Sequence, residues 1–416
     1  MILFDAVGLS VRVAAKDGAF KPVPQTHRIA KVEFTDDESK ADKLAIDVDN
    51  SDLYHLDSPI WREGNIVKLS WGTGGFYAPD RDCKIDKVSG GTVLHVEAKG
   101  GEMSINKIFR MRRFENVKRS DIAKTVASEM GFSSQQMFVQ DTGEVLEQVT
   151  QARQTDAMFL MSLARREGFD WFIDFDGFHF HERQLQQKPQ LVLRYRSGDR
   201  DGSDIISFNF EKGVAATAPG SIKVVGRDPL TKEDYEFIAD NDSVGRHSLA
   251  GSILAVGPDD AAKHGEPLAA VNATQLVVPS SESTRASAER FARGLYKRVQ
   301  LSAVQLDVTA RGVPCLLAKS TVKVEGLGPT LSGIYHIKSI AHKIRPSPYT
   351  MALKLARDGM TMTVSIGDQP LPGQGQGVSS AGTVNTALAQ PVTTLPTKQV
   401  SATVSEFLSS ARSIVL

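Results

Sequence analysis

The sequence predicts an α+β protein that is predominantly β, with a related β-module towards each end and a helix-bearing segment between them. Three observations predict it. From Gly312 to Gly359, apolar residues alternate with polar ones in three runs, at Val322 and Val324, at Tyr335, Ile337 and Ile340, and at Met351, Leu353 and Leu355. Turn-forming residues separate the runs, which is the pattern of a meander of half-buried strands. Similar runs occur in the same order near the start. Ile66 to Gly72 (IVKLSWG) matches Thr321 to Gly326 (TVKVEG), Cys83 to Val88 (CKIDKV) matches Tyr335 to Ile340 (YHIKSI), and Leu94 to Gly100 (LHVEAKG) matches Leu353 to Gly359 (LKLARDG). Self-similarity on this scale is the usual trace of a duplicated unit. Between the two regions the apolar period lengthens to that of helices.

Residues 1–105 form the first β-domain. Leu9, Val11 and Val13 alternate, as do Ala30, Val32 and Phe34, then Leu44, Ile46 and Val48, and five or more such strands without a helix suggest a small barrel or sandwich.

Residues 106–215 form an α/β domain. Ser120 is the expected cap of a helix carrying Ile122, Ala123, Val126, Ala127 and Met130 on one face and ending at Gly131 and Phe132. Thr155 caps a second, with Phe159, Leu160, Leu163 and Ala164 on its apolar face and a matching end at Gly168 and Phe169. The hairpin WFIDFDGFHFHE follows, with Asp176 and Gly177 as its turn, and the helices are expected to pack on it. Strands at Leu191–Tyr195 and Ile205–Phe210 close the domain.

Residues 216–362 form the second β-domain, with a strand pair around the turn Asp228–Lys232, a polar excursion from Asp240 to Glu266, and a helix over 283–299. That helix presents Ala288, Phe291, Ala292, Leu295, Tyr296 and Val299 on one face and Arg290, Arg293, Lys297 and Arg298 beside it. The cations either face solvent or meet an acidic partner. Residues 363–416 begin as a Gly, Pro, Gln and Ser linker too poor in apolar area to order itself. Near its end, Val404, Phe407, Leu408, Ala411 and Val415 fall on one helical face. This segment reads as a tethered peptide that docks on a neighbour, or as a frayed end.

Composition narrows the function. The 416 residues carry 49 Lys plus Arg against 49 Asp plus Glu, so no net field favours a nucleic acid. Two separated cysteines, Cys83 and Cys315, give neither a disulfide framework nor a metal cluster. No run of eighteen apolar residues and no signal peptide is recognised, so stable membrane insertion is not expected. Asp47, Asp49, Ser51 and Asp52 resemble a calcium loop faintly, but Asp52 stands at its glycine position and Ser58 at its glutamate position, which leaves a polar turn. Asp174, His179 and His181 share a strand face and offer a metal or acid-base site; lacking an apparent third ligand, they read more simply as a wet strand face.

The order GVP, VKVEGLG, GIYHIKSIAH and SPYTMALKLARDG, preceded by a helix and by VVGRDPLT, resembles the phage late control D proteins, the baseplate hubs of contractile tails. It is also similar to the hub half of type VI secretion spike proteins. The central QARQTDAMFLMSLARREGFDWFIDFDGFHFHER is similar to the same family's Thr-Asp-capped helix, Gly-aromatic ending and strand pair, and the resemblance runs from about residue 8 to about residue 360. It implies two tail-tube-like β-barrel domains with an intervening α/β domain, assembling as a ring-shaped homotrimer that adapts a threefold spike to a sixfold tube. The implied partners are a central spike protein, a tail tube protein, baseplate wedge proteins and a tape measure protein, with DNA only as transiting cargo. The implied location is the virion tail baseplate, assembled in the host cytoplasm.

Two departures stand out. Lys319 occupies a position where the family has glycine, and no spike domain is recognised, so the spike is expected to be a separate protein. The alternative, a tail-associated peptidoglycan-degrading enzyme, finds no HExxH, G-x-S-x-G, phosphate loop or CxxC motif to support it. No cofactor, metal or catalytic residue is therefore expected.

Overall fold

A computed structural model describes residues 2–358 apart from 5–6, 16–17, 24–25, 74–75, 101–107, 186, 197–201, 213–219, 229–230, 241–242, 244–274, 281, 283, 303 and 346–347. The linker and the segment with Val404, Phe407, Leu408, Ala411 and Val415 lie outside the described residues, as does most of the expected 240–266 excursion.

The first module contains β1 (Ile2–Phe4), β2 (Val7–Ala14), β3 (Lys21–Pro22), β4 (Ile29–Asp37), β5 (Lys43–Asp49), β6 (Ile66–Thr73), β7 (Phe76–Tyr77), β8 (Arg81–Gly90) and β9 (Val93–Gly100). Its main strands lie in the order β2-β6-β8-β9-β5-β4. Alternation sends one side chain in two inward, so Leu9, Val11, Val32, Phe34, Leu44, Ile46, Val67, Leu69, Trp71, Ile85 and Val96 make one core. All six strands contribute to that core, so the sheet must curl around it.

The middle segment contains β10 (Phe109–Val117), α1 (Arg119–Glu129), β11 (Met137–Val139), β12 (Leu146–Thr155), α2 (Asp156–Glu167), β13 (Phe169–Asp174) and β14 (Gly177–Glu182). Thr155 caps α2 through Met158 N–H, and Gly168 ends it at φ 74°, both as expected. Ser120 does not cap α1: the cap position is Lys118, two residues earlier, and the Ser120 hydroxyl is buried against Asp141 and Thr142. The hairpin turn is Phe175–Asp176, one residue before the expected pair, because Asp174 lies opposite Gly177. Gly177 has another task. At φ 149° it lets β11 approach so closely that a β-carbon would sit 2.1 Å from the Gln136 carbonyl oxygen. The faces of the hairpin are unchanged by the shift, and Phe178 and Phe180 pack under both helices.

Beyond it come β15 (Val192–Arg194), β16 (Ile205–Lys212), β17 (Ser221–Arg227), β18 (Asp234–Ala239), β19 (Gln275–Pro279), α3 (Arg285–Gln300), β20 (Val304–Arg311), β21 (Thr321–Glu325), β22 (Gly333–Ile344) and β23 (Thr350–Arg357). The second module is β15-β21-β22-β23-β20-β16 around Leu193, Leu306, Val308, Val322, Tyr335, Ile340 and Leu353. The expected boundary at residue 216 divides strands that pair, since β15 joins β21 and β16 joins β20. Between them, β17, β18 and β19 form a separate three-stranded sheet covered by α3.

The two modules share one topology. Five strands taken in chain order, β4, β5, β6, β8, β9 in one and β16, β20, β21, β22, β23 in the other, are arranged third-fourth-fifth-second-first in both. Their irregularities coincide too. The register slips between Ile85 and Lys87 where β8 meets β9, and between Ile337 and Ser339 where β22 meets β23. It slips again between Ile29 and Lys31 in β4, and between Ile205 and Ser207 in β16. The first two matches of the sequence repeat follow this register. The third shifts by two residues: Ile85 lies opposite Ala98 and Ile337 opposite Leu355, so Ala98 corresponds to Leu355. A two-residue slide preserves the strand face, which is why alternation alone does not detect it. The sixth strands differ, β2 running antiparallel to β6 and β15 parallel to β21.

The expected closed barrels are corrected by the hydrogen-bond pattern. Among the described residues the main ladder is one open 15-stranded sheet whose path runs from β1 to β16, because β4 pairs outward onto β22 instead of back onto β2.

Candidate functional site: the seam between the repeated modules

β22 serves two neighbours along one edge. Its residues 333–336 pair with β21, and beyond the slip at Ile337, residues 339–344 pair with β4 from the first module. Ile344 thereby enters the first module's core. A polar chain crosses the same seam: Trp71 Nε1–H donates to Tyr349 Oη at 2.9 Å, Tyr349 O–H donates to His342 Nδ1 at 2.8 Å, and His342 Nε2–H donates to the Leu316 carbonyl at 3.1 Å. Every polar atom of the His342 ring is satisfied in the neutral form. Burial pushes its pKa down to about 4.

Beside the seam, ionised side chains from all three regions meet. Asp36 accepts from Lys319 Nζ at 2.7 Å and from the Ala318 backbone N–H at 2.9 Å. Arg81 pairs with Asp174 of β13, lies 3.9 Å from Asp42, and sits near the rings of Phe34 and Phe175. Lys319 Nζ lies 4.9 Å from the centre of the Phe172 ring. Three carboxylates thus face two cations. Burial, with Asp36 nearby, pushes the Asp42 carboxyl well above its usual range. Burial works against the charge on Lys319, but Asp36, Asp42 and Asp174 outweigh it and raise its pKa.

Lys319 has φ 63°, the left-handed conformation that glycine adopts freely. The departure from glycine noted in the sequence therefore keeps the turn and adds a buried cation. Next to this cluster, Glu38 takes His336 Nε2–H at 2.9 Å and Arg183 at 3.2 Å, and Arg183 also holds Asp170 at 2.6 Å.

The cations expected along the helix now called α3 meet acids within the chain. Arg290 pairs with Glu167 and Glu144, Lys297 with Glu182, Arg298 with Asp170, and Arg293 with Glu289. Deeper in, Arg119 bridges Glu167 and Glu282, with all three side chains no more than 3% exposed.

The remaining residues singled out in the sequence are dispersed. His179 is stacked between Phe138 and Phe172, donates its Nε2–H to the Asp176 carboxylate at 2.9 Å, and has its Nδ1 3.3 Å from His181 Nε2. Asp174 is drawn instead to Arg81, and among the described residues no group of three or more ligating side chains converges. Asp52 pairs with Arg28, and Asp49 accepts the Ser51 backbone N–H. Cys83 and Cys315 are free thiols. Sequence reading missed Arg81, Asp36, Asp42 and Asp174 as a group; the one local signal was Lys319.

The face of the sheet opposite the cores is concave where β4, β5, β9, β16, β20, β22 and β23 adjoin. It encloses a depression of about 820 Å³ lined by polar residues such as Thr35, Lys43, Ser207, Ser339 and Lys354 together with apolar ones such as Phe208 and Leu353. Among the described residues, no helix is long and apolar enough to cross a membrane.

The fold is found in solved structures of low sequence identity. The chain is similar to the tail protein from Neisseria meningitidis, at 12% identity over 86% of this chain and 98% of that one, with a TM-score of 0.59. It is similar to the 43 kDa tail protein of prophage MuSo2 from Shewanella oneidensis, at 13% identity over 84% and 98%, with a TM-score of 0.59. An Escherichia coli component of the type VI secretion system matches at 12% identity over 79% and 73%, with a TM-score of 0.50. No curated protein matches the sequence. A family model described as Alg8 N-terminal domain matches residues 81–346, from β8 through β22, and this is well over half of the 416 residues. By that match the chain belongs to the Alg8 N-terminal domain family.

Proposed function

We propose that this chain is the structural baseplate hub of a contractile phage tail or a related injection system. The observation that carries the reading is the duplicated five-strand topology, spliced through β4 and β22 into one sheet with a concave face. Two like modules per chain let three chains present six like surfaces, so a homotrimer matches a threefold spike on one side and a sixfold tube on the other. In this reading the concave face lines the channel. Its lining mixes the hydroxyls of Thr35, Ser207, Thr309 and Ser339 and the pair of Asp307 directly opposite Lys354 with the apolar residues Phe208, Val308 and Leu353.

The buried charges act as joints, fixing the angle between modules. The charge pairs are positioned by many elements and specify one arrangement, a role for which buried ionic groups are suited. The partners are a central spike protein, the tail tube protein, wedge proteins and a tape measure protein, in a baseplate assembled in the host cytoplasm. The domain scheme is two tube-like β-domains around an α/β insertion, with residues 363–416 as linker and docking segment. Val404, Phe407, Leu408, Ala411 and Val415 would seat that segment on a neighbouring subunit, and removal of Thr403–Leu416 is expected to weaken assembly.

The test is mass in solution by light scattering, with and without the co-expressed spike protein. Three times the chain mass of 45.2 kDa is expected. A chain that stays monomeric and binds neither spike nor tube protein would rule the reading out.

A further inference from the structure

Two histidines on β14 are hydrogen-bonded in a way that leaves one nitrogen of each ring facing the other. His179 and His181 are two residues apart, so the strand places both on one face. The His179 ring lies between Phe138 of β11, at 4.6 Å, and Phe172 of β13, at 4.5 Å, and is nearly parallel to both. That stack fixes its plane. His179 Nε2 lies 2.9 Å from the Asp176 carboxylate, and His181 Nδ1 lies 2.9 Å from the Glu182 carbonyl oxygen. Both oxygens accept, so each of these outer nitrogens carries the hydrogen. A neutral imidazole has a single N–H, and the inner nitrogens, His179 Nδ1 and His181 Nε2, therefore keep their lone pairs. They stand 3.3 Å apart. Burial holds the His181 pKa below its ordinary value, which favours the neutral ring.

This is the chemistry of histidines that bind a metal ion. Two nitrogens held by one tetrahedral zinc ion, each at about 2.0–2.1 Å, are about 3.3 Å from each other. Ligating histidines also donate the outer N–H to a carboxylate or a backbone carbonyl, which orients the ring and raises its basicity. Asp176 does this for His179, and the Glu182 carbonyl does it for His181. Both rings are only half-buried and Asp176 is exposed, so an ion can enter from solvent. Among the described residues three ligating side chains do not converge. Asp170, directly opposite His181 in the ladder, is held by Arg183 and Arg298, so water fills the remaining positions.

We propose that His179 and His181 form a two-histidine site for a late first-row divalent metal ion, with zinc as the probe. Imidazole nitrogen selects such ions over calcium and magnesium, which take oxygen ligands. An ion between the rings replaces the repulsion of two lone pairs with two bonds. It thereby stiffens the sheet face that also brings Asp174 to Arg81 and Phe172 to Lys319. The site stands independently of the hub reading.

The test is equilibrium dialysis of the full chain, carrying no affinity tag, against zinc chloride, with bound metal counted by mass spectrometry. Uptake of one zinc ion per chain is expected, and no uptake of calcium or magnesium. His181→Gln removes a ligand and is expected to weaken zinc binding at least tenfold, and Asp176→Ala, which removes an orienting partner at an exposed position, about tenfold. His95→Gln, which alters an exposed histidine paired with Asp47, serves as the control and is expected to bind as the parent does. Zinc is also expected to raise the thermal midpoint of the parent but not of His181→Gln, and the midpoints without metal separate lost ligation from lost folding. Asp176→Ala keeps the test decisive should His181→Gln fail to fold. A parent that takes up no zinc, or zinc binding equal to the parent's in either variant, overturns the site.

Discussion

Gly168, at the end of α2, and Gly294, in the middle of α3, face each other with no room between them. A β-carbon on Gly168 would lie 2.7 Å from the Gly294 Cα, and one on Gly294 would lie 2.3 Å from the Gly168 Cα. This approach lets Arg290 reach Glu167 and Arg298 reach the Phe169 carbonyl oxygen. Gly294→Ala has backbone to displace, so it is expected to cost about 1–3 kcal/mol despite improving helix propensity. Urea unfolding of the variant checks this; a stability equal to or above that of the parent would show that the helices can part freely.

Lys319→Gly restores the residue expected at a left-handed position and removes a buried cation. Relief of the backbone is worth about 1–2 kcal/mol, whereas breaking one partner from a buried ion pair costs about 3–5 kcal/mol. The variant is therefore expected to be less stable at neutral pH, and Asp36→Asn in the same chain should recover part of the loss. Thermal unfolding of the parent and the two variants decides it. A single Lys319→Gly change that stabilises the protein would mean the junction contributes nothing.

Arg119 holds two carboxylates that are almost completely enclosed, Glu167 and Glu282. Arg119→Met keeps much of the volume but, among the described residues, leaves Glu167 paired with Arg290 and Glu282 with Arg166. A loss of about 3–5 kcal/mol is expected from chemical denaturation. An unchanged midpoint would place the binding of α1 to the rest of the fold in apolar packing alone.

Acid should weaken the seam. The His342 pKa of about 4 lies below the ordinary 6.5, so between these values the unfolded chain binds the extra proton and stability falls as pH drops. The shift is equivalent to about 3 kcal/mol across that window. Asp42 acts in the opposite sense, since burial raises its pKa and the folded state keeps its proton. Comparison with His342→Gln isolates the histidine: that variant is expected to be less stable at pH 7 yet lose less between pH 6.5 and pH 4. Parallel pH profiles for the two proteins would contradict this.

Alternation made the strands of both modules legible, because Leu9, Val11 and Val13 or Leu353 and Leu355 must each alternate if one face is buried. The same rule hides register. It permits slides of two residues, so the third repeat match was offset and the hairpin turn at Phe175 displaced by one. Pairing between β4 and β22 was not legible at all, since the strands are distant in sequence and their edges carry no side-chain code. The charged junction was hidden for a related reason. Arg81, Asp174 and Lys319 come from three regions, and each alone looks like an ordinary solvated charge.

The splice of β4 onto β22 also orders events during synthesis. At about 5–20 residues per second, β22 leaves the ribosome some 15–60 s after β4. Until then the first module waits with an uncapped rim and a gap where Ile344 belongs. A nascent chain in this interval can be caught by the rim of another, so slow translation or truncation before Gly333 should promote misassembly, and the final strands act as the latch that ends the hazard.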